Sequence, residues 1–179
     1  MGVVAIVLTG CGASAQVATI SPSASPSASA SPGSVESLGA RPLKLPALPP
    51  NSSCPISPGG NFVNPPGNKL PGYGFGPGPV FLTGQTEWHS GEYALIMAAP
   101  NYSGPLVVRG RQLDGSNGTA FRTEQGSATI NDTAIAPGQW RSWGGRLSGP
   151  SGCYGLQADG VGFSEVIVFY INPGPQPPA

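Results

Sequence analysis

Residues 153–171 read Cys153-Tyr-Gly-Leu-Gln-Ala-Asp-Gly-Val-Gly-Phe-Ser-Glu-Val-Ile-Val-Phe-Tyr-Ile171, and two segments within them set the fold. Cys153–Ala158 and Phe163–Ile171 are rich in β-branched and aromatic residues, which suit a pleated and half-buried surface. Asp159-Gly160 between them is a favoured tight-turn dipeptide, so the stretch predicts an antiparallel hairpin. Working back along the chain, the same texture recurs. Pro79–Thr83, Glu92–Ala99, Leu106–Gln112, Thr119–Thr123, Ala128–Ile130 and Gln139–Trp143 are further candidate strands, each bounded by Gly, Pro, Asn or Asp. Asp114-Gly-Ser-Asn-Gly118 reads as another hairpin loop. No stretch keeps a helical apolar period over three turns.

Many short strands with frequent turn signals predict an all-β domain, a sandwich or a barrel. The expectation is a small immunoglobulin-like β-sandwich over residues 52–172, with a disordered tail at 173–179. About 120 residues can bury a workable but small core. The separation of Cys54 and Cys153 is longer than the inter-sheet pair of antibody domains, and no Trp lies in the matching strand. The expectation is therefore of the architecture and not of an antibody domain itself.

Upstream the composition changes. Ser21 to Pro32 is a near-repeat of Ser, Ala and Pro, which cannot bury enough apolar surface to offset the entropy of ordering. Residues 11–51 are expected to be a disordered linker. Fully extended, its roughly 40 residues would reach on the order of 100 Å. Arg41 to Pro50 is a second, more apolar proline stretch, either lying along the domain surface or serving as a polyproline ligand.

Before the linker, Met1 to Leu8 is an uninterrupted apolar run followed by Thr9, Gly10 and Cys11. It is too short to cross a bilayer, which takes roughly 20 apolar residues. It suits the apolar part of a signal peptide, with small residues ahead of the cleavage point. Leu8-Thr9-Gly10-Cys11 resembles the lipobox of bacterial lipoproteins. The resemblance implies that Leu8, Thr9 and Gly10 are recognised by the signal peptidase and that Cys11 receives the lipid. It also implies cleavage before Cys11, so that residues 1–10 are a signal-peptide remnant. No Lys or Arg precedes the apolar run, and the true start is expected upstream of Met1. Anchoring by two or three acyl chains is stable, whereas one chain holds only marginally.

The chain has three cysteines. An odd count in an exported protein leaves one thiol to explain. With Cys11 assigned to lipid, Cys54 and Cys153 are expected to form a disulfide, in keeping with an oxidising space. Two longer segments, Ser103 to Gly115 and Gly152 to Phe169, resemble parts of exported bacterial proteins. That resemblance covers most of residues 52–171. It implies a β-sandwich at the cell surface and brings no activity with it.

Composition excludes some partners. Only 9% of residues are charged and the net charge is +0, so the basic field of a nucleic-acid binder is missing. His89 is the only histidine. With Glu87 and Glu92 it could form a surface metal site, although an ordinary polar loop is the simpler reading, and neither metal nor cofactor is expected. No Gly-x-Ser-x-Gly elbow, His-Glu-x-x-His motif or Walker loop occurs. A carboxylate pair for glycoside chemistry would come from Glu87, Glu92, Glu124, Asp132, Asp159 or Glu165.

Aromatic residues beside Gly- and Pro-rich loops offer a possible ligand platform: Trp88, Tyr102, Trp140 and Trp143, with Tyr73 and Phe75 nearby. Trp140 and Trp143 are expected on opposite strand faces. Arg109 and Arg111, as alternate residues, share one face and could clamp an anion. The function expected is a monomeric, non-enzymatic module, lipid-anchored to the membrane and binding a cell-wall glycan or another envelope protein. The alternative is a small glycan-directed envelope hydrolase. Solute capture for a transporter is disfavoured by the domain's size.

Overall fold

The computed structural model describes residues 31, 33–49, 51–62, 72–85 and 87–174. Leu8, Thr9, Gly10 and Cys11, with the Ser/Pro tract through residue 30, lie outside the described residues.

Among the described residues the chain forms two β-sheets packed face to face. One has six strands in the order β1 (Gly59–Asn61), β2 (Tyr73–Phe75), β3 (Val80–Thr83), β5 (Tyr93–Ala98), β9 (Arg141–Leu147) and β7 (Phe121–Thr123). The other has five, in the order β4 (Trp88–His89), β11 (Phe163–Asn172), β10 (Gly152–Gly160), β6 (Leu106–Gln112) and β8 (Ile130–Asp132). All pairings are antiparallel except that of β4 with β11. Alternate residues enter the core, as the pleat requires. From the five-stranded sheet come Tyr154, Leu156, Ala158, Ile167, Phe169 and Ile171; from the other come Val80, Leu82, Ala94, Ile96, Phe121 and Leu147.

The closing hairpin is two residues longer than expected. Gly160 pairs with Phe163, so the turn lies at Val161-Gly162 and not at Asp159-Gly160. Asp159 stays in the sheet opposite Ser164 because its carboxylate is a buried counter-charge, and Gly162 supplies the positive φ of 89°. β8 is shifted to Ile130–Asp132, where Val108 pairs with Ile130 and Leu106 with Asp132. Ser127 is held instead in a local turn, its hydroxyl accepting from the Thr129 amide at 3.1 Å. β9 runs on past Trp143 through Gly144 and Gly145. A side chain at Gly145 would strike the Arg122 carbonyl, so this glycine marks close strand approach and not a break.

β10 is buried on both faces over its whole length. Its outward row, Cys153, Gly155, Gln157 and Asp159, would face water in a simple sandwich. Here residues 33–49 and 51–57 roof it. The strap opens with a short helix α1 (Val35–Gly39), capped by the Ser34 hydroxyl, which accepts from the Ser37 amide at 3.2 Å. Leu38 of α1 is fully buried. Beyond it the proline stretch runs along the sheet. The Lys44 amide donates to Gln157 Oε1 at 2.5 Å, and Gln157 Nε2 donates to the Pro42 carbonyl at 3.0 Å. Leu45 and Leu48 cover Leu113, Cys153 and Val168. A Cβ at Gly155 would lie 3.1 Å from Leu45, so the glycine makes room for it. The strap ends at the Cys54–Cys153 disulfide and at Ser57, whose amide donates to the Val168 carbonyl at 2.9 Å. The folded unit therefore begins well before residue 52, and residues 33–49 belong to it and not to a disordered linker. Their contacts are long-range backbone bonds and small apolar patches, which leave no periodic signature.

Candidate functional site

The expected aromatic platform is dispersed. Trp88 is 2% exposed and part of the core. Tyr102 is half-buried, packed edge-on against Phe163 with centroids 4.8 Å apart. Its hydroxyl donates to the Pro105 carbonyl and accepts from the Val161 amide at 2.9 Å. Trp143 packs on the core under the Arg141 guanidinium, 5.6 Å from the ring centroid. Trp140 lies on the other side of the sheet, 5.0 Å from the Phe62 ring, which stacks in turn on Phe81 at 5.4 Å. The two Trp thus face opposite ways, but the four rings make no common surface.

Arg109 and Arg111 do share a face of β6, yet they form no open clamp. Arg109 donates to Asp159 at 2.7 Å and to the Gly39 carbonyl, also at 2.7 Å. Arg111 donates to the Gln112 carbonyl at 3.0 Å. Asp159 is fully buried, with Arg41 3.8 Å from its other oxygen. The two arginines and one aspartate are thus a structural lock between strap and sheet.

The acids are equally separated. Asp132 is paired with Arg141 at 2.7 Å. Glu87 is exposed. Glu92 is buried and accepts from the His89 amide at 2.7 Å, and the His89 ring Nδ1 lies 3.3 Å from the Gly174 carbonyl oxygen. Asp159 and Glu165 are near in register but point oppositely, since Glu165 pairs with inward Ala158. Glu165 sits at the sandwich edge and accepts from the Val80 amide at 2.8 Å.

Burial raises the Glu165 carboxyl to about 7, more than the Val80 hydrogen bond lowers it. The folded value lies above the unfolded one, so the contribution of this group to stability is full below pH 4.5 and is lost as pH rises through about 7. Glu165→Gln keeps an acceptor for Val80 and removes the charge. It is expected to stabilise the protein at pH 8 by about 1–2 kcal/mol, allowing for solvent screening, and by much less at pH 4.5. Urea unfolding at the two pH values measures this; a variant less stable than the parent at pH 8 would contradict it.

Strap and lock close the outer face of the five-stranded sheet; on the outer face of the other, Met97 and Thr83 are buried and Phe62, Phe81 and Trp140 stack, but among the described residues it stays open around Tyr93. Two concavities of about 440 and 410 Å³ meet on it at Tyr93 and Arg146. The first reaches Glu92, Gly84 and Gly91; the second reaches Arg122 and Glu124. Tyr93 is 41% exposed and crosses β9 over Gly144, where any side chain would collide with its phenol oxygen. Its hydroxyl donates to Glu124 Oε1 at 2.8 Å. That hydrogen bond, with some burial, raises the phenol above its usual range. Arg146 pairs across the strands with Tyr93 on one side and Arg122 on the other. Arg146 donates to the Gly91 carbonyl at 2.7 Å, while Arg122 makes no hydrogen bond or ion pair with a described residue. Like charges directly opposite are destabilising, so the contacts of the described residues do not explain Arg122 opposite Arg146.

No family model matches the chain, and no curated protein or solved structure matches it. The reading of the sequence missed Tyr93, Arg122 and Arg146, and named Glu124 only as one of six acids for a carboxylate pair. A signal was present in Gly144-Gly145 within a strand, since paired glycines there mark a surface on which another group lies. The aromatic that lies on it is 51 positions earlier, which no local pattern reveals.

Proposed function

We propose that this chain is a lipid-anchored extracytoplasmic binding module, attached at Cys11 and presenting the open outer face of its six-stranded sheet to an envelope ligand. The observation that carries this reading is the asymmetry of the sandwich. One outer face is roofed by the chain's own strap, whereas the other holds concavities around Tyr93 and an Arg122 guanidinium that engages no described residue. The immunoglobulin-like comparison belongs to this reading for its two-sheet architecture; the disulfide ties strap to sheet and does not cross the core. The pairing of Cys54 with Cys153 supports the assignment of lipid to Cys11, the remaining cysteine. A carboxylate-pair hydrolase finds less support, given the opposite facing of Asp159 and Glu165 and the engagement of Asp132 by Arg141.

Palmitate labelling of the whole chain tests the anchor, and sedimentation with isolated envelopes tests the binding. Label should enter the parent and be absent from Cys11→Ser, and the Cys11→Ser chain should still sediment with envelope material. Label surviving the substitution removes the anchor from the account. A Cys11→Ser chain that stays wholly in the supernatant removes the binding role.

A further inference from the structure

We propose that the open face binds a neutral glycan, with one sugar ring stacked on Tyr93 and its hydroxyls shared between Arg122 and Arg146 on one side and Glu124 on the other. The inference rests on the binding role proposed above and names its site and ligand class. Four features of the open face converge on a sugar.

The first is the ring. Tyr93 is a large exposed aromatic on a strand whose alternate residues fill the core. It is laid across the sheet over Gly144 and pinned through its hydroxyl by Glu124. A ring held in one orientation costs little further entropy when a ligand stacks on it. An aromatic needed only for packing would be turned inward, as Tyr154 is.

The second is the hydrogen-bonding inventory. A sugar hydroxyl both donates and accepts, so its site needs both partners within reach of one ring. Arg122 supplies donors that engage no described residue, Arg146 has donors beyond the one it gives to Gly91, and Glu124 has an oxygen beyond the one that holds Tyr93. The third is charge. Arg122 and Arg146 are balanced by Glu124 and Glu92, which line the same two concavities. A balanced set does not select an anion, and it points to a neutral polyol. The fourth is shape. The two concavities extend away from Tyr93 on either side, so a chain of sugars can pass over the ring and continue in both directions.

Nuclear magnetic resonance titration of the full chain carrying Cys11→Ser tests the proposal. The probes are chito-, manno- and gluco-oligosaccharides, with an oligouronate as the acidic comparison. At least one neutral series should shift the amides of Gly84, Gly91 and Gly145 with a Kd below about 10 mM. Tyr93→Ala should weaken that binding at least about tenfold and Arg122→Ala several-fold, while Tyr93→Phe keeps the ring and stays within about threefold of the parent. Arg122→Ala removes a like-charge opposition, so its thermal midpoint should not fall and lost binding cannot be ascribed to unfolding. The proposal is overturned if no neutral series binds, if only the oligouronate binds, or if Tyr93→Ala binds like the parent. A parent that sediments with envelopes yet fails every probe leaves the binding role standing and removes the glycan. A parent that binds a neutral series without sedimenting does the reverse.

Discussion

A chain carrying Cys54→Ser and Cys153→Ser should be about 4 kcal/mol less stable than the parent, the largest single loss expected here. The two cysteines are separated by 99 residues, and in the chain-entropy model cross-linking a loop of that size removes about 4–5 kcal/mol of freedom from the unfolded chain. The bond also has a local task. It ends the strap beside the small apolar cluster of Leu45, Leu48, Leu113 and Val168, which buries too little to hold the segment by itself. Thermal unfolding with and without reductant measures the effect, expected as a fall on the order of 10–20 °C. A double-serine variant within about 1 kcal/mol of the parent would mean that the strap is held by its hydrogen bonds alone.

Asp159→Ala should cost about 3 kcal/mol. It removes a fully buried carboxylate that two guanidinium groups share, and breaking a buried pair from one side leaves the other charge uncompensated. Arg109 and Arg41 keep 21% and 35% of their side-chain exposure, which holds the cost near the lower end of the usual range. Gln157 Nε2 also loses its acceptors on Asp159, at 2.9 and 3.1 Å. The expected result is a fall in the urea midpoint together with faster hydrogen exchange at Lys44, whose amide bonds to Gln157. In an Arg109→Met background the same substitution should cost at least about 1 kcal/mol less, because the charge it strands is already gone. Equal costs in the two backgrounds would show that Asp159 acts without Arg109.

Much of the sandwich was legible because a pleated strand repeats every two residues. Leu106–Gln112 was read at its true bounds, and Phe163–Asn172 to within a residue. What was illegible has physical causes. β1, β2 and β4 are two or three residues long, too short for alternation to register. Asp159-Gly160 has the composition of a turn, yet Asp159 stays in the sheet because distant arginines compensate its charge. The strap carries no periodic pattern, since it is held by partners more than a hundred residues away. The candidate site failed for the same reason. Its prominent aromatics are those that fill the core or its edges, whereas Tyr93 looks like an ordinary strand residue until Gly144 is set beneath it.

One outer face of the sandwich is closed by its own chain, and the exposed surface around Tyr93 on the other is the proposed binding surface. Hydroxyl-radical footprinting of the Cys11→Ser chain, free and sedimented with isolated envelopes, tests it most directly. Tyr93 oxidation should fall at least about threefold on binding, while Leu43 and Val161, exposed on and beside the strap, are unchanged. Protection of Leu43 and Val161 with Tyr93 unaltered would contradict it.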